Sequence, residues 1–287
     1  MPADRAPLGF GRQVGTVLLM QLANWRWSWR QMVLTGMLAP LITMAMLGAF
    51  ARPAGPAAGA QVLAGSLTMA LLFQMQNKIA NSFAFMRHTG AFDFYAALPI
   101  GREALVLATL LAFTLLALPA LVVTVLAGVV LLHLSLHVSP VLVPAVLVSL
   151  LPSAGIGAWI GARSSSLEQA SSTSLACTLA MVSIGPVTVP ASLLPEALVQ
   201  LGRLNPGVYA ASALRRSLTG GADVSVLSDL SVLVALSVVV WVGLRLRMPW
   251  RPRPTRARPT PYDREGDDHD GTGVRRGAVA HRRGVLG

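Results

Sequence analysis

The hydrophobic positions of this chain form six long runs, separated by polar segments that contain most of its charges. About 20 apolar residues, or somewhat fewer with flanking help, cross the hydrocarbon core of a bilayer as a helix. Each run therefore predicts one transmembrane span. The chain is predicted to be an all-α integral membrane protein with six transmembrane helices, at about residues 32–50, 60–75, 104–132, 141–162, 174–189 and 226–244.

Small residues mark the end of the fourth run. Gly155, Gly157 and Gly161 recur within two helical turns. Glycine lets helix backbones approach closely in a membrane. The sequence therefore predicts that this span makes close contact with a neighbouring helix.

The longest polar interruption, residues 76–103, separates the second and third runs. It reads QNKIANSFAFMRHTGAFDFYAALPIGRE, which is too polar to cross a bilayer and too long for a tight turn. Ile79, Phe83 and Met86 have the i, i+4, i+7 spacing of one helix face, and Gly90 is expected to break that helix. The pattern predicts a helical hairpin at the membrane surface, which is either a contact for a partner protein or only a tether between spans.

An amphiphilic stretch, residues 190–223, separates the fifth and sixth runs. It is too polar to cross a bilayer and too apolar to stand free in water. Its Leu-Pro and Asn-Pro steps bias the residue before each proline away from the helix. We expect short helices separated by turns, although prolines and glycines that only punctuate a loop would give the same pattern.

Residues 1–30 precede the first run. Val14, Val17, Leu18 and Leu22 fall on one side of a helix, and tryptophans interleave with arginines after it. Tryptophan favours the headgroup level of a bilayer, and arginine can reach anionic lipid from there. The pattern predicts an interfacial helix. A cleavable signal peptide is the alternative, but the apolar run that follows exceeds the usual 7–15 residues.

Composition and charge place this chain in a bilayer and orient it. Hydrophobic residues make up 54% of the chain and charged residues 12%, against about 25% charged in soluble domains. With a cytoplasmic N-terminus, the cytoplasmic segments hold 19 of the Arg and Lys residues and the external loops hold 4. The positive-inside rule then places both termini in the cytoplasm. We expect an interfacial helix (1–30), a six-span domain (31–247) and a disordered basic cytoplasmic tail (248–287).

Few residues can carry chemistry. The single Cys177 excludes an internal disulfide, and the single Lys78 follows Asn77, so the chain lacks the Gly-Lys pair of a P-loop. The middles of the predicted spans contain no ionisable residue, which argues against proton-driven transport and intramembrane hydrolysis. His133 and His137 are four residues apart but have no third ligand nearby. No catalytic residue, metal site or bound cofactor is predicted. If the protein transports a substrate, the energy must come from elsewhere.

Three stretches carry a family resemblance. They are Thr89-Gly90 with Leu98-Pro99-Ile100 and Arg102-Glu103, then Pro190-Ala191-Ser192-Leu193-Leu194-Pro195, then Leu204-Asn205-Pro206 with Tyr209 and Ala213-Leu214-Arg215. Their order and spacing, together with the six spans, resemble an ABC-2 type permease over about residues 10–247. Such permeases are the membrane subunits of bacterial ABC exporters such as the daunorubicin-resistance type. The chain departs from the family at Phe85-Met86-Arg87-His88, where members often carry an acidic residue before the Thr-Gly pair.

The resemblance implies partners and sites. A separate ABC ATPase subunit would bind ATP and Mg²⁺, two permease copies or paralogues would form the pathway, and the permease itself would be non-catalytic. The loop between spans 2 and 3 would act as a cytoplasmic coupling helix, and the segment between spans 5 and 6 would form short helices at the outer face. The implied ATPase contacts are Arg87, His88, Phe92, Asp93, Phe94, Leu98 and Pro99, and the implied outer-face residues are Pro190, Pro195, Asn205, Pro206, Tyr209 and Arg215.

The expected function is ATP-driven export of a hydrophobic or amphiphilic substrate, such as a drug, an antibiotic or a lipid-like molecule. The expected location is the bacterial cell membrane, with lipid as a partner and no nucleic acid. Two alternatives stay open. One is a related permease for polysaccharide, lipid-linked or haem cargo, and the other is a membrane enzyme or assembly factor without a transport role.

Overall fold

The computed structural model of this protein describes residues 9–24, 29–51, 53–91, 102–220 and 223–247. An isolated bridge between His137 and Thr219 is the sole β-type pairing in these ranges, so the prediction of an all-α fold is confirmed for them. The helices are α1 (Phe10–Asn24), α2 (Trp29–Ala51), α3 (Pro56–His88), α4 (Arg102–Leu132), α5 (Leu142–Arg163), α6 (Leu167–Ser183), α7 (Glu196–Gly202), α8 (Pro206–Leu218) and α9 (Val224–Arg247).

Within the described ranges, five helices are long and apolar enough to cross a bilayer: α2, α3, most of α4, α5 and most of α9. They correspond to predicted spans 1 to 4 and 6. The fifth predicted span, residues 174–189, is not confirmed as a span. Helix α6 covers 17 residues, about 25 Å, and stops at Ser183. The apolar run continues beyond it, but Gly185 adopts a φ of +98° and precedes Pro186, so the chain bends there.

Helix α3 differs most from the sequence-based prediction. The second span is predicted to end near residue 75, with the segment after it on the membrane surface. Instead the helix continues, from Pro56–Leu72 through a π turn at Phe73–Asn77 into Lys78–His88. The residues predicted to share a face (Ile79, Phe83 and Met86) do share it, but α5 packs along this segment and all three are buried.

The predicted hairpin at the membrane surface, residues 76–103, is therefore not confirmed: its first part continues the helix of the second span as far as His88, and residues 92–101 lie outside the described residues. The continuous helix is stabilised because polar residues of this segment find hydrogen-bond partners on the neighbouring helix α6, one of them buried and one at the exposed edge. The Gln76 amide donates to the carbonyl oxygen of Ser174, and Asn81 accepts from the Ser171 hydroxyl. Polar groups that are paired in this way no longer need water.

The glycines of α5 make the close contacts that the sequence predicts. A Cβ atom at Gly157 would overlap the backbone oxygen of Gln76, and one at Gly161 would overlap that of Ala80. On the same helix, a Cβ atom at Gly155 would press on the side chain of Val240 in α9. Helix α5 is thus held between α3 and α9 by contacts that only residues without a side chain permit.

Helix α1 has the predicted apolar side. Val14 and Val17 on that side are buried, and α1 packs against α4. The Gln21 amide nitrogen donates to Thr109 Oγ1 at 2.7 Å, which ties the two helices together. The N-terminal helix is therefore a packed part of the helical domain.

Candidate functional site

Helices α3 and α5 end together at one end of the bundle, which we call the Arg87 end (Arg87, His88 and Arg163). The Arg87 guanidinium donates a hydrogen bond to the carbonyl oxygen of Ala162, in the last turn of α5. An arginine can satisfy the carbonyls that a helix leaves unpaired at its C-terminus. Arg87, His88 and Arg163 are all exposed, so this end presents two arginines to its surroundings, with the exposed Glu168 nearby in the first turn of α6.

Helix α3 ends where the sequence predicts a break. The backbone amide of Thr89 donates to the carbonyl oxygen of Phe85 at 2.9 Å, and Gly90 then adopts a φ of +70°. That left-handed conformation favours glycine, which has no Cβ to clash. Of the predicted ATPase contacts, the structure places Arg87 and His88 next to each other here. The other five, Phe92, Asp93, Phe94, Leu98 and Pro99, lie outside the described residues.

The opposite end of the bundle, which we call the Asn205 end, holds the predicted short helices. Pro190 precedes a 3-10 turn at Ala191–Leu193, Pro195 caps the start of α7, and Pro206 occupies the first turn of α8. Proline suits these positions because its fixed φ fits the first turn and its missing N–H is not needed there. Short helices separated by turns are thus present in this segment, and their placement at the outer face stays a prediction.

Asn205 joins three elements at this end. Its Oδ1 accepts a hydrogen bond from the backbone amide of Gly207 at 2.9 Å, which caps α8. Its Nδ2 donates to the carbonyl oxygens of Met181 and Ile184, where α6 ends. The side chain is 93% buried and all of its hydrogen-bonding groups contact the protein. Asn205 therefore fixes α8 against the end of α6.

Gln61 fastens the bend after α6 to α3. Its amide nitrogen donates to the carbonyl oxygens of Pro186 and Val187, at 3.0 and 2.9 Å. These carbonyls belong to irregular chain, which has no ladder or helix to satisfy them. Sequence reasoning missed this residue. The available signal was a lone glutamine near the start of an otherwise apolar run.

The remaining predicted outer-face residues, Tyr209 and Arg215, belong to α8. The Tyr209 hydroxyl donates to the carbonyl oxygen of Arg203 at 2.8 Å, which closes the turn between α7 and α8. Arg215 Nε is buried and makes no hydrogen bond to described residues. The neighbouring Arg216 Nε lies 3.7 Å from a carboxylate oxygen of Asp229 in α9. Helix α8 is thus anchored by hydrogen bonds at its start and by the Arg216–Asp229 ion pair near its end.

The loop between α4 and α5 also contacts α8. The backbone amides of His137 and Ser139 donate to the carbonyl oxygens of Leu218 and Ser217, at 3.0 and 2.8 Å. These bonds satisfy carbonyls in the last turn of α8. The Asn205 end is therefore a connected set of short elements, held together by hydrogen bonds between segments that are distant in sequence.

A polar seam runs between α3 and α6, formed by Gln76, Asn81, Ser171, Ser174 and Thr178. Ser171 Oγ donates to Asn81 Oδ1 at 2.9 Å, and Gln76 Nε2 donates to the Ser174 carbonyl oxygen at 3.3 Å. Gln76, Ser174 and Thr178 are fully buried. Sequence reasoning missed the π turn on which Gln76 lies.

Helix α6 begins at a well-formed cap. Ser166 Oγ accepts from the backbone amide of Gln169 at 3.0 Å, and Gln169 Oε1 accepts from the amide and hydroxyl of Ser165. The reciprocal arrangement is close to a capping box, for which the Ser-x-x-Gln spacing was the sequence signal. It sets the start of α6 at the Arg87 end.

An open cavity of about 350 Å³ lies on the other side of α6, towards α5. Among the described residues, no group of three or more His, Cys, Asp or Glu side chains could hold a metal ion. The cavity is lined by Ile156, Trp159, Ile160, Arg163, Ser164, Gln169, Thr173 and Cys177.

The sequence was also compared with known proteins. A family model described as "ABC-2 type transporter" matches residues 12–219, which is more than two thirds of the chain. The match runs from the first turn of α1 to the end of α8 and includes both ends of the bundle. No match was found among curated proteins.

Proposed function

This chain belongs to the ABC-2 type transporter family, which makes it the membrane component of an ABC transporter, and we propose that it is the permease subunit of an exporter. The family implies an ABC ATPase partner. Consistent with a partner, the only lysine of the chain follows Asn77, so the chain carries no P-loop of its own.

One observation carries the proposal. Helix α3 runs without a break from Pro56, near the Asn205 end, to His88 at the Arg87 end. It is coupled at its end to α5 by the Arg87–Ala162 hydrogen bond, and along its length by the contacts at Gly157 and Gly161. A force applied to the Arg87 end therefore reaches the buried part of the bundle through rigid elements.

The proposed ATPase contact comprises the Arg87 end and the loop that follows it. Arginine and aromatic side chains are the usual anchors of protein–protein contacts. In this assignment the Arg87 end faces the cytoplasm of a bacterium, in agreement with the excess of basic residues on that side. The Asn205 end then faces outwards, and a second permease copy or paralogue completes the pathway.

The proposed cargo is hydrophobic or amphiphilic, of the drug, antibiotic or lipid-like kind. The support is chemical. The spanning helices offer apolar, hydroxyl and amide groups, and their described parts hold few charged side chains. A small inorganic ion would need charged or closely spaced oxygen ligands to replace its water.

The test is retention of the ATPase. A tagged full chain, purified under conditions that preserve complexes, is expected to bring down an ATP-hydrolysing subunit. Replacing Arg87 and Asp93 by alanine is expected to lower this retention and to lower export of a labelled amphiphile. Arg203→Ala at the opposite end is the matched control and should leave both unchanged. A chain that never retains an ATPase, or a double variant that retains it fully, would overturn the assignment.

A further inference from the structure

We propose that α6 slides along α3 by one helical turn, and that the polar seam holds it in either of two registers. The register seen in the structure, in which Asn81 contacts Ser171 and Gln76 contacts Ser174, is the resting one. In the second register α6 lies about 5.4 Å nearer the Arg87 end. The proposal rests on the proposed function only for what drives the movement, since the sliding itself is a property of this chain.

The first ground is a set of unused hydrogen-bonding atoms in the seam. Ser174 Oγ, Thr178 Oγ1 and Gln76 Oε1 are buried and have no hydrogen-bond partner among the described residues. The Gln76 amide lies beside the sulfur of Cys177, which is only a weak hydrogen-bond partner. Buried polar atoms are nearly always paired, and leaving one unpaired is costly. Several in one seam indicate that they find partners in another arrangement.

The second ground is the spacing of these atoms. Helices α3 and α6 are antiparallel, because Asn81 meets Ser171 while Gln76 meets Ser174. Ser171, Ser174 and Thr178 are three and four residues apart, so they share one face of α6. Moving α6 by one turn towards the Arg87 end brings Ser174 level with Asn81 and Thr178 level with Gln76. The two unpaired hydroxyls can then donate to the side-chain oxygens of Asn81 and Gln76.

The third ground is that little apolar packing opposes the movement. The cavity of about 350 Å³ borders α6 on the side of α5. Much of the remaining surface of α6 is exposed, including Leu175 and Leu179. Gln76 also lies in a π turn, a feature that is frequent at functional sites. Sliding by one turn between two discrete arrangements is an established kind of switch in packed helices.

The contacts of α6 at the Asn205 end define the resting register. At the Asn205 end, Asn205 holds the carbonyl oxygens of Met181 and Ile184, so sliding must release these two bonds. The bend that follows is a tight turn, in which the backbone amide of Val187 donates to the carbonyl oxygen of Gly185 at 2.9 Å. This turn must extend as α6 moves away, and the Gln61 bonds to Pro186 and Val187 must give way with it. Asn205 therefore holds α6 in the resting register until a force is applied.

Disulfide trapping in membranes tests the two registers. In the full chain with Cys177→Ala, the pair Asn81→Cys with Ser171→Cys reports the resting register. Asn81→Cys with Ser174→Cys reports the shifted one, because a disulfide requires Cα atoms within about 7 Å. Oxidation with copper phenanthroline is expected to join the resting pair quickly and the shifted pair more slowly but completely.

Two control pairs calibrate these rates. Gln21→Cys with Thr109→Cys, which links α1 to α4, should cross-link at one rate under all conditions. Asn81→Cys with Thr173→Cys places the second cysteine on another face of α6. If the shifted pair forms no faster than this off-face pair, while the resting pair forms, α6 does not slide and the proposal is overturned.

A second variant tests the role of the unpaired hydroxyl. Thr178→Val keeps the shape of the side chain but removes the group that would bond Gln76 in the shifted register. We expect it to slow cross-linking of the shifted pair by about tenfold. Thr124→Val, at a buried threonine that bonds within α4, is the matched control and should have no such effect. If the shifted pair cross-links at the same rate in both variants, the polar seam does not hold α6 in the second register.

The nucleotide dependence separates this proposal from the proposed function. With the co-purified ATPase present, ATP and orthovanadate are expected to change the ratio of shifted to resting cross-links. Cross-linking of both pairs without any nucleotide effect supports the sliding and counts against ATPase coupling. Retention of the ATPase with no shifted cross-link, in contrast, supports the exporter and refutes the sliding.

Discussion

The side-chain nitrogen of Asn205 donates a hydrogen bond to the backbone carbonyl oxygen of Met181, across 24 residues of sequence. This bond joins the start of α8 to the last turn of α6, and a second bond from the same nitrogen reaches Ile184. The Asn-Pro step is thus more than a turn signal. The Asn205 side chain caps α8 with its oxygen, and its nitrogen binds the carbonyl oxygens where α6 ends.

Replacing Asn205 by alanine is expected to destabilise the chain by about 2–3 kcal/mol, from the lost cap of α8 and the unpaired carbonyls of α6. The measurement is the thermal unfolding midpoint of the purified chain in detergent. Asn77→Ala is the matched control, because Asn77 Oδ1 has no hydrogen-bond partner in the described part of the chain. Equal falls in midpoint for the two variants would contradict the anchoring role.

The contact between α5 and α3 predicts opposite effects at two glycines. Gly161→Ala is expected to cost about 1–3 kcal/mol, because the new methyl group meets the backbone of Ala80 and the side chain of Phe83. Gly243→Ala in α9 meets nothing within 4 Å and should stabilise its helix by about 0.5–1 kcal/mol. Thermal unfolding of both variants in one detergent measures the difference, and a stabilising Gly161→Ala would refute the close contact.

Loss of the two Gln61 hydrogen bonds is expected to have a local effect on the bend after α6. Gln61→Leu removes the donor to the carbonyl oxygens of Pro186 and Val187 but keeps the side-chain bulk. Backbone amides of residues 184–189 are then expected to exchange hydrogen faster, while those of α5 stay unchanged. Hydrogen exchange followed by mass spectrometry measures this, with the exposed Gln200→Leu as control. Unchanged exchange over the bend would mean that these bonds do not hold it.

Arg216 and Asp229 predict a coupling between α8 and α9. Their side chains are 34% and 14% exposed, and the 3.7 Å separation is too long for a strong hydrogen bond. We therefore expect a coupling of about 1 kcal/mol, above the median for surface pairs and well below that of fully buried ones. A double-mutant cycle with Arg216→Ala and Asp229→Ala measures it. The cycle of Arg215→Ala with Asp229→Ala should be additive, and a coupling of equal size there would argue against a specific pair.

Hydropathy alone predicted most of the helices, because the length and polarity of a run are local properties. The runs of α2, α4, α5 and α9 were located from the sequence within a few residues, and the bend at Gly90 was expected from its residue type. The glycines of α5 were recognised as contact positions, since only a missing side chain permits such an approach. The family resemblance was likewise visible in short local stretches of sequence.

What the sequence could not determine depends on partners that are distant along the chain. Residues 76–88 are polar enough to lie on a membrane surface, and only the hydrogen bonds to α6 and the fit against Gly157 and Gly161 bring them into the bundle. The end of α6 depends on how Gly185 bends and on which carbonyls Asn205 and Gln61 reach. The polarity of a residue is visible in the sequence. The free-energy cost of burying it in a bilayer depends on whether a hydrogen-bond partner lies within about 3 Å. That distance is set by the tertiary structure.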